Sequence, residues 1–388
     1  MTFLQKQQIQ VPTKRYVIAI ALSLCSIASL CAQDAQSNPP APTISMASDQ
    51  IPAALRKPVL GIALNIHHIS DLELYLRSVD QIAELGANAL VVVTPWFQDT
   101  GSTNTIYRIS SRCPTDEQLK AVFKRAKQRN LRTAIVPIVL IKNPVGKEWR
   151  GTIAPTNWEQ WWMSYGAFIN HFAGMAAELD IDILSIGSEL NSTEDQEQHW
   201  THVAAATRKI FSGTMTYTAN WDRYEKVKFW NLVDAISISA YFELVENPEQ
   251  QNVLMMSEAW GKIATKFADF AKTQGRPLLL MQVGYPSVPW AALHPWNYQP
   301  GDLKESDPET QARAYEAFLT IWTAKLTAQA CPVQGFFLYH WDPYHSGGSR
   351  DFGYGIDGKP AKTLIRDAFQ QIKSEIRKNQ AKPQSLAD

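Results

Sequence analysis

A carboxylate directly follows a buried apolar run in the middle of the chain. Residues 183–188 read Ile-Leu-Ser-Ile-Gly-Ser, Glu189 comes next, and a polar stretch begins at Asn191. An ionised side chain deeper in an apolar segment would be costly unless it were paired, so Glu189 marks the end of a strand. At the active face of a barrel, such a residue is a candidate catalytic acid. The alternative is a helix-entry acid, with Asn191 to Thr193 capping the helix that follows.

The elements that would position Glu189 alternate along the chain. From Val59 onward, apolar runs of strand length alternate with helical patterns, and the runs begin near residues 59, 89, 133, 183, 214, 235, 277 and 333. The runs are continuously apolar, which is typical of strands buried on both faces. Eight strand–helix units in roughly 320 residues predict an α/β fold, a single-domain (β/α)8 TIM barrel over residues 58–378.

The composition is that of a well-packed globular protein. Hydrophobic residues make up 45% of the chain, charged residues 19%, and the formal net charge is zero. Neutrality argues against nucleic acid or an anionic membrane surface as the main partner. Thirteen tryptophans are present, and exposed indole rings are good platforms for sugar rings, although many tryptophans pack in cores. We expect a monomer.

The N-terminus has the pattern of a secretory signal. A basic pair precedes the apolar residues 16–30, which are too few to span a bilayer comfortably. We therefore predict a signal peptide over residues 1–32, cleaved near Ala32, and a secreted or periplasmic protein. A lipid anchor at Cys31 is disfavoured because Leu30 fits that signal poorly.

Polar segments flank the predicted barrel. Residues 33–57 are rich in Pro, Ser, Ala and Gln and predict a flexible linker, and residues 379–388 predict a disordered tail. Cys113 and Cys331 would lie at opposite ends of the barrel, too far apart for a disulfide, so both are expected to be free thiols.

The predicted strand ends and their loops would bring polar and aromatic side chains into one bowl. The candidate substrate-binding residues are Asn65, Trp96, Trp149, Asn220, Trp221, Asp222, Tyr241, Tyr285, Trp296 and Trp341. Aromatic rings with a few amides and carboxylates are typical of a sugar-binding cleft. Taken singly, each tryptophan is a core candidate, whereas the set at strand ends favours ligand contact.

Neither a metal nor a cofactor is predicted. His199 and His202 lie one helical turn apart without a third ligand, which favours a solvated helix face over a metal site. His67 and His68 are adjacent, so on a strand only one of them would enter the bowl. The chain contains no Gly-rich phosphate loop or nucleotide-binding fingerprint.

Several segments together resemble glycoside hydrolase family 113, whose members are retaining β-mannanases on a TIM barrel. These segments include Trp-Arg-Gly (149–151), Ile-Gly-Ser-Glu-Leu (186–190), Thr-Ala-Asn-Trp-Asp (218–222), Val-Lys-Phe-Trp (227–230), Ala-Tyr-Phe (240–242) and Gly-Tyr-Pro-Ser (284–287). The resemblance implies that Glu189 is the general acid/base, which protonates the glycosidic oxygen and later activates water. It also implies a β-linked, mannan-like oligo- or polysaccharide as the partner.

The sequence departs from the family pattern at the nucleophile. The resemblance implies a strand-seven Glu followed by Ile or Val, Gly and Tyr, whereas this chain has Gln282 before Val-Gly-Tyr. A neutral amide does not attack the anomeric carbon as a carboxylate does, nor offset the charge of an oxocarbenium-like transition state. In addition, Ser239 stands where the family pattern has Asp, and Ile138 where it has His.

Two carboxylates near the same rim are candidate substitutes, Glu243 and Asp342. Either could replace the nucleophile, or act as the base of an inverting mechanism if it lay about 6.5–9.5 Å from Glu189. The alternatives are an exposed loop acid for Glu243 and a turn acid for Asp342. Two functions therefore stay open: a glycoside hydrolase with Glu189 as acid/base, and a catalytically disabled barrel that binds carbohydrate. Unrelated chemistry on the same fold is a third.

Overall fold

Eight parallel strands close into a barrel in the computed structural model, which describes residues 51–328 and 331–381. The strands are β1 Val59–Asn65, β2 Ala89–Gln98, β3 Arg132–Ile141, β4 Ile183–Ser188, β5 Thr214–Asn220, β6 Ala235–Ser239, β7 Leu278–Val283 and β8 Val333–Trp341. Each strand pairs with the next along the chain, and β8 pairs with β1. The predicted TIM-barrel fold is confirmed.

Seven α-helices surround the barrel within the described part of the chain. They are α1 Leu72–Glu84, α2 Asp116–Gln128, α3 Trp158–Glu178, α4 Glu197–Ile210, α5 Val253–Gln274, α6 Pro308–Thr327 and α7 Pro360–Ala381. Between β5 and β6 the chain forms only two short 3-10 turns, Tyr224–Lys226 and Trp230–Leu232. The expectation of eight strand–helix units is therefore wrong for this crossover, because residues 221–234 are too few for a full helix and its two loops.

Local sequence signals fix where several helices begin. Thr115 and Gln118 form a reciprocal capping box at the start of α2, in which each side chain accepts a hydrogen bond from the other residue's backbone N–H. Asn157 and Asn252 cap α3 and α5 by accepting from backbone N–H groups three residues ahead. Gly275 ends α5 in the left-handed conformation that glycine adopts without strain.

The strands bury side chains on both faces, and the two faces differ. Small and branched residues fill the barrel interior, among them Val91, Val136 and Leu279, while larger side chains pack between strands and helices. Hydroxyl groups also line the interior on neighbouring strands: the Oγ of Ser185 lies 2.9 Å from Oγ1 of Thr218, which lies 2.9 Å from Oγ of Ser237. These hydrogen bonds satisfy polar groups that would otherwise be buried without a partner.

The chain joins the barrel earlier than predicted. Leu55 is fully buried and packs in the interior core cluster that contains Val59. The guanidinium of Arg132 donates to the carbonyl oxygens of Ala54 and Lys57, at 2.8 and 2.6 Å. The predicted linker therefore ends before residue 57, because a buried leucine and these hydrogen bonds hold its last residues against the barrel.

The C-terminal helix also extends further than predicted. α7 continues through Ala381, and Nδ2 of Asn379 donates to the carbonyl oxygen of Thr327 at 3.1 Å. The predicted signal peptide (residues 1–32), most of the linker, and tail residues 382–388 lie outside the described residues.

Two further observations concern the described residues alone. Cys113 and Cys331 are free thiols, as predicted. None of the helices within residues 51–328 and 331–381 combines the length and the apolar character that crossing a membrane requires.

Candidate active site

Glu189 lies one residue past the end of β4 in a left-handed backbone conformation, with φ of 55°. Non-glycine residues rarely adopt this conformation, and where they do the surrounding structure must hold them in it. Here the N–H of Glu189 donates to the carbonyl oxygen of Thr218 on β5 at 2.8 Å. The side chain is buried, and the residue is only 6% exposed. Glu189 is therefore a fixed carboxylate at the mouth of the barrel.

Glycine at position 187 allows β4 to pack closely against the aromatic residues around it. A Cβ atom at Gly187 would lie 2.8 Å from the Trp200 ring and from the Tyr165 hydroxyl, and 2.9 Å from the Tyr217 ring. All three aromatic residues are buried. The strand can therefore pack against them only because residue 187 has no side chain.

Arg150, in the loop between β3 and α3, forms an ion pair with Glu189. Its Nη2 donates to Oε2 of Glu189 at 2.6 Å, a charge-assisted hydrogen bond between two largely buried side chains. The guanidinium also lies 6.0 Å from the ring centroid of Trp149. A Cβ at Gly151 would lie 2.3 Å from that ring, so the Trp-Arg-Gly segment packs tightly at this point.

Gln282 faces the same bowl because β7 is irregular there. Ile238 pairs with Leu280 and the next residue of β6, Ser239, pairs with Gln282, so one residue of β7 is skipped. Ser239 also pairs with Asn220 of β5. The three polar residues Asn220, Ser239 and Gln282 therefore lie side by side on adjacent strands.

Tyr241 connects Gln282 to the neighbourhood of Glu189. The Tyr241 hydroxyl donates to Oε1 of Gln282 at 3.3 Å. Burial raises the pKa of Tyr241 well above its ordinary value, and the nearby hydroxyls of Tyr339 and Tyr354 and the Glu189 carboxylate raise it further. Tyr241 therefore stays protonated and remains a hydrogen-bond donor. Tyr241 therefore bonds Gln282 directly and lies near enough to Glu189 for that carboxylate to influence its pKa.

Three tyrosines form an aromatic cluster in the bowl. The ring centroid of Tyr339 lies 6.2 Å from that of Tyr241 and 5.4 Å from that of Tyr354, and the Tyr241 and Tyr354 centroids are 5.9 Å apart. Nδ2 of Asn65 donates to the Tyr339 hydroxyl at 2.9 Å. Burial raises the pKa of Tyr339 to about 12, with Arg150 opposing the shift and Glu189 adding to it. Asn65 and Tyr241 therefore both lie next to Tyr339.

Three of the predicted aromatic contacts lie on the outer face of the barrel instead. Trp96 packs against Phe168 and His171 of α3. Tyr285 is buried and accepts a hydrogen bond from Nε1 of Trp260 on α5. Trp341 is 1% exposed and packs in the outer core.

This outward placement corrects the expectation that Trp96, Tyr285 and Trp341 line the bowl. Continuous apolar strands do not reveal which alternate residues point inward.

The remaining predicted contacts lie near the rim. Trp296 is 49% exposed, and its ring centroid lies 5.4 Å from that of His294. Trp221 is partly buried and packs edge-on against Phe242, with centroids 5.6 Å apart. Asp222, the next residue, is exposed. Trp296 therefore presents an open ring face, whereas Trp221 presents only part of its ring.

The two candidate substitute carboxylates contact histidines in the loops. Oε1 of Glu243 lies 3.3 Å from Nδ1 of His294, and both side chains are exposed. Asp342 accepts from the N–H of Tyr344 at 2.9 Å, and its other oxygen lies 2.8 Å from Nδ1 of His345. These contacts are those of a loop acid and a turn acid.

Sequence reasoning did not assign site roles to Arg150, Tyr339 and Tyr354, although they surround Glu189. Arg150 adjoins Trp149, which was assigned, and Tyr339 comes two residues before Trp341 on the same strand. The signal that could have found Tyr339 is the alternation of β8, since the side chain of Phe337 lies in the barrel interior.

The arrangement can move a proton and hold a polar ligand. Glu189 is the single carboxylate in the Arg150–Tyr241–Tyr339 cluster as the described residues define it, and Oε1 of Glu189 has no protein partner among them. Across residues 51–328 and 331–381, no group of three or more His, Cys, Asp or Glu side chains could hold a metal ion.

Comparison with solved structures relates this barrel to mannanases. The β-mannanase of glycoside hydrolase family 113 from Alicyclobacillus acidocaldarius, in complex with ManMIm, matches with a TM-score of 0.71 and 24% identity over 81% of this chain and 98% of that one. Another family 113 β-1,4-mannanase matches with a TM-score of 0.69 and 23% identity, over 81% and 99%. A glycoside hydrolase family 5 protein from Streptomyces cattleya, in complex with GlcNAc, matches with a TM-score of 0.57 and 13% identity, over 82% and 81%.

Identities this low establish a shared fold. No curated protein matched the chain. The family itself is established by sequence, since the model of glycoside hydrolase family 113 matches residues 73–359, well over half of the chain. The protein belongs to glycoside hydrolase family 113.

Proposed function

We propose that this protein is a glycoside hydrolase that acts on β-linked, mannan-like oligo- or polysaccharides, with Glu189 as its general acid/base. The observation that carries the proposal is the position of Glu189: a buried carboxylate just past the end of β4, held by Arg150 and electrostatically coupled to Tyr241, which bonds Gln282. Membership of family 113 supports the reaction class. The β-mannanases of similar fold support the substrate class.

In this proposal the protonated form of Glu189 delivers its proton to the glycosidic oxygen as the bond to the leaving sugar breaks. Its second role, as the base that activates water, applies only where a separate nucleophile has formed a covalent intermediate. Its Oε2 is bound by Arg150, which leaves Oε1 to meet the substrate. The Tyr241 hydroxyl donates its proton to Oε1 of Gln282, and its oxygen can accept a hydrogen bond from a sugar hydroxyl.

Gln282 is proposed to occupy the position of the family nucleophile. An amide does not form the covalent glycosyl ester of a retaining enzyme, although it keeps the size and the hydrogen-bonding groups of Glu. With its Oε1 bound to the Tyr241 hydroxyl, the amide nitrogen is free to donate to a sugar hydroxyl. Turnover would then depend on direct attack by water, with a base other than Gln282.

Gln282 also favours a second candidate function: a carbohydrate-binding protein that does not turn over its ligand. The contacts of Glu243 and Asp342 with His294 and His345 support this candidate, because they hold Glu243 against the loop after β7 and Asp342 within its own turn. A sugar bound in the bowl would then be held and not cleaved.

One pair of measurements separates the two candidates. Release of reducing sugar from β-mannan is measured for the wild type and for Glu189→Gln, and binding of manno-oligosaccharides is measured by calorimetry. Activity in the wild type that is lost in the variant supports the hydrolase. Binding by two equally inert proteins supports the binding protein, and an absence of both binding and turnover contradicts both.

We further propose that the protein is exported by the signal peptide over residues 1–32 and acts as a monomer outside the cytoplasm. The basic pair followed by a short apolar segment supports export. N-terminal sequencing of the protein recovered from a periplasmic or culture fraction tests this proposal, with mature protein beginning near residue 33 as the expected result. Uncleaved protein that remains in the cytoplasm would contradict it. Light scattering during size-exclusion chromatography tests the oligomeric state.

A further inference from the structure

A cavity lies between the ends of β1 and β8, next to the tyrosine cluster that Asn65 contacts. Its volume is about 390 Å3, which lies within the usual range of small-molecule sites. The cavity is lined by Asn65, His67, His68, Tyr75, His340, Asp342, Pro343 and Tyr344. None of the mechanistic steps proposed for Glu189 uses it.

The cavity presents neutral hydrogen-bonding groups. Because His67 lies in a concave part of the surface, partial desolvation lowers its pKa, and Arg150 and Arg112 lower it further. Burial lowers the pKa of His340 to about 4, with Asp342 among the groups that oppose the shift. Both imidazoles are therefore uncharged at neutral pH, and each offers one donor and one acceptor.

Two side chains in the wall have unsatisfied polar atoms. Nδ1 of His340 and Oδ1 of Asn65 are buried and have no hydrogen-bond partner among the described residues. Such atoms carry a desolvation cost, so a small rotation of either side chain toward a ligand hydroxyl would be favourable. The wall is thus adapted to a ligand rich in hydroxyl groups.

An exposed aromatic ring forms one side of the cavity. Tyr344 is 52% exposed, and its ring is held edge-on against the buried Tyr75, with centroids 6.0 Å apart. Its hydroxyl lies 3.3 Å from Oγ of Ser70, which further fixes the ring. A tyrosine ring fixed at its edge leaves one face free to stack on the apolar face of a sugar.

Asn65 connects this cavity to the catalytic centre. Its amide donates to the hydroxyl of Tyr339, a member of the tyrosine cluster around Glu189 and Gln282. The histidines and Asp342 do not form a metal-binding group in the described residues. Asp342 also disfavours an anionic ligand, since it would place like charges close together.

We propose that this cavity is a saccharide subsite, which binds one neutral sugar ring of a chain that continues into the bowl. Tyr344 stacks on the ring, and His67 and His340 exchange hydrogen bonds with its hydroxyl groups. The inference rests on the proposed saccharide-handling function and adds a location and specificity-determining residues to it. It implies that affinity depends on the length of the oligosaccharide.

Calorimetry with β-1,4-linked manno-oligosaccharides of different lengths tests the subsite. The titrations use the full chain carrying Glu189→Gln, so that the sugars are not cleaved. Adding Tyr344→Ala should weaken the binding of the longer oligosaccharides about tenfold and leave that of the shorter ones unchanged. Adding Tyr344→Phe, which keeps the ring, should preserve affinity at every length, and His67→Ala should repeat the length-dependent loss.

The controls separate local from general effects. Met163→Ala removes a more exposed apolar side chain on α3, a helix that does not line the cavity, and should change no affinity. If Tyr344→Ala weakened the binding of oligosaccharides of every length equally, or weakened none of them, the subsite would be overturned. The proposal that the protein binds saccharides would still stand. Failure of the starting protein to bind any oligosaccharide would overturn the subsite and the proposed function together. Length-dependent binding by a wild type without turnover would support the subsite and reject only hydrolysis.

Discussion

The guanidinium of Arg150 lies 2.6 Å from Oε2 of Glu189, and both side chains are largely enclosed by protein. Arg150 comes from the loop between β3 and α3, whereas Glu189 follows β4. The ion pair therefore holds the long loop against the barrel mouth and fixes the direction of the carboxylate. Removing one partner leaves the other charge unpaired in a poorly solvated environment. The stability lost is then greater than the net contribution of the ion pair itself.

We expect Arg150→Ala to lower the free energy of unfolding by about 2–3 kcal/mol, somewhat less than for a fully buried pair because Arg150 is partly solvated. Glu189→Gln in the same background should recover much of the loss, since the uncompensated charge is gone. Urea denaturation of the wild type, both single variants and the double variant gives the coupling energy. Strictly additive effects would show that the ion pair does not couple the two elements.

The glycine two residues before Glu189 gives a second prediction. In Gly187→Ala the new methyl group would meet three buried aromatic residues at less than 3.0 Å, so we expect a loss of about 1–3 kcal/mol. The displaced strand end should also lower any activity that depends on Glu189. Gly166→Ala is the matched control: a Cβ at this site in α3 has no neighbour within 4 Å, so helix propensity should stabilise the protein by about 0.5–1 kcal/mol. Thermal unfolding of both variants tests the contrast, and equal shifts would contradict it.

The architecture of the barrel follows from the sequence because each strand is a distinct apolar run. Even so, which side chains point inward was predictable only in part. Trp96 faces α3, since Val91 and Val93 on the same strand point into the barrel and residue 96 falls on the other face. A uniformly apolar run does not indicate which of its residues face the barrel interior.

Irregular strand pairing accounts for the other side chains whose orientation differs from simple alternation along the strand. On β8 the register shifts so that Trp341 pairs with Leu64, an outward-facing residue of β1. On β7 a similar shift brings Gln282 opposite Ser239 and turns it into the bowl. Each shift reverses the face that simple alternation assigns, and neither has a signature in the sequence. The assignments of Glu189 and Gln282 do not depend on these shifts, because they rest on positions in motifs and not on strand alternation.

A buried ion pair fastens the loop that precedes α7. Nζ of Lys359 lies 3.0 Å from Oδ1 of Asp351, and it donates to Oγ of Ser287 at 2.8 Å and to the carbonyl oxygen of Gly353 at 3.0 Å. We expect Lys359→Met to lower the free energy of unfolding by about 3–5 kcal/mol, because it leaves a buried carboxylate unpaired. Lys378→Met, which breaks the exposed contact with Glu375, is the control and should have little effect. Similar urea midpoints for the two variants would contradict a structural role for Lys359.

The depressed pKa of His340 predicts a pH dependence of stability. The folded protein protonates this imidazole only near pH 4, whereas the unfolded chain does so near pH 6.5. Between these values the unfolded state binds more protons, so stability falls as the pH drops from 6.5 towards 4. His340→Gln should make this fall shallower, because one group that protonates only on unfolding is gone. Melting temperatures of both proteins at pH 7.5, 6, 5 and 4.5 test the sign, and parallel profiles would contradict it.

Gln282→Glu tests the nucleophile position directly. The side chain faces the Tyr241 hydroxyl, which burial keeps protonated, so an introduced carboxylate would find a hydrogen-bond donor already in place. If position 282 lies across the scissile bond from Glu189, the variant gains a double displacement that the amide does not support. Release of reducing sugar from β-mannan should then rise about 100-fold or more, with retention of anomeric configuration. Gln282→Asp is the control: it supplies the same charge on a shorter side chain, which leaves it short of the anomeric carbon, so it should gain far less. A Gln282→Glu protein that folds and binds manno-oligosaccharides but gains no activity would show that residue 282 does not occupy the nucleophile position.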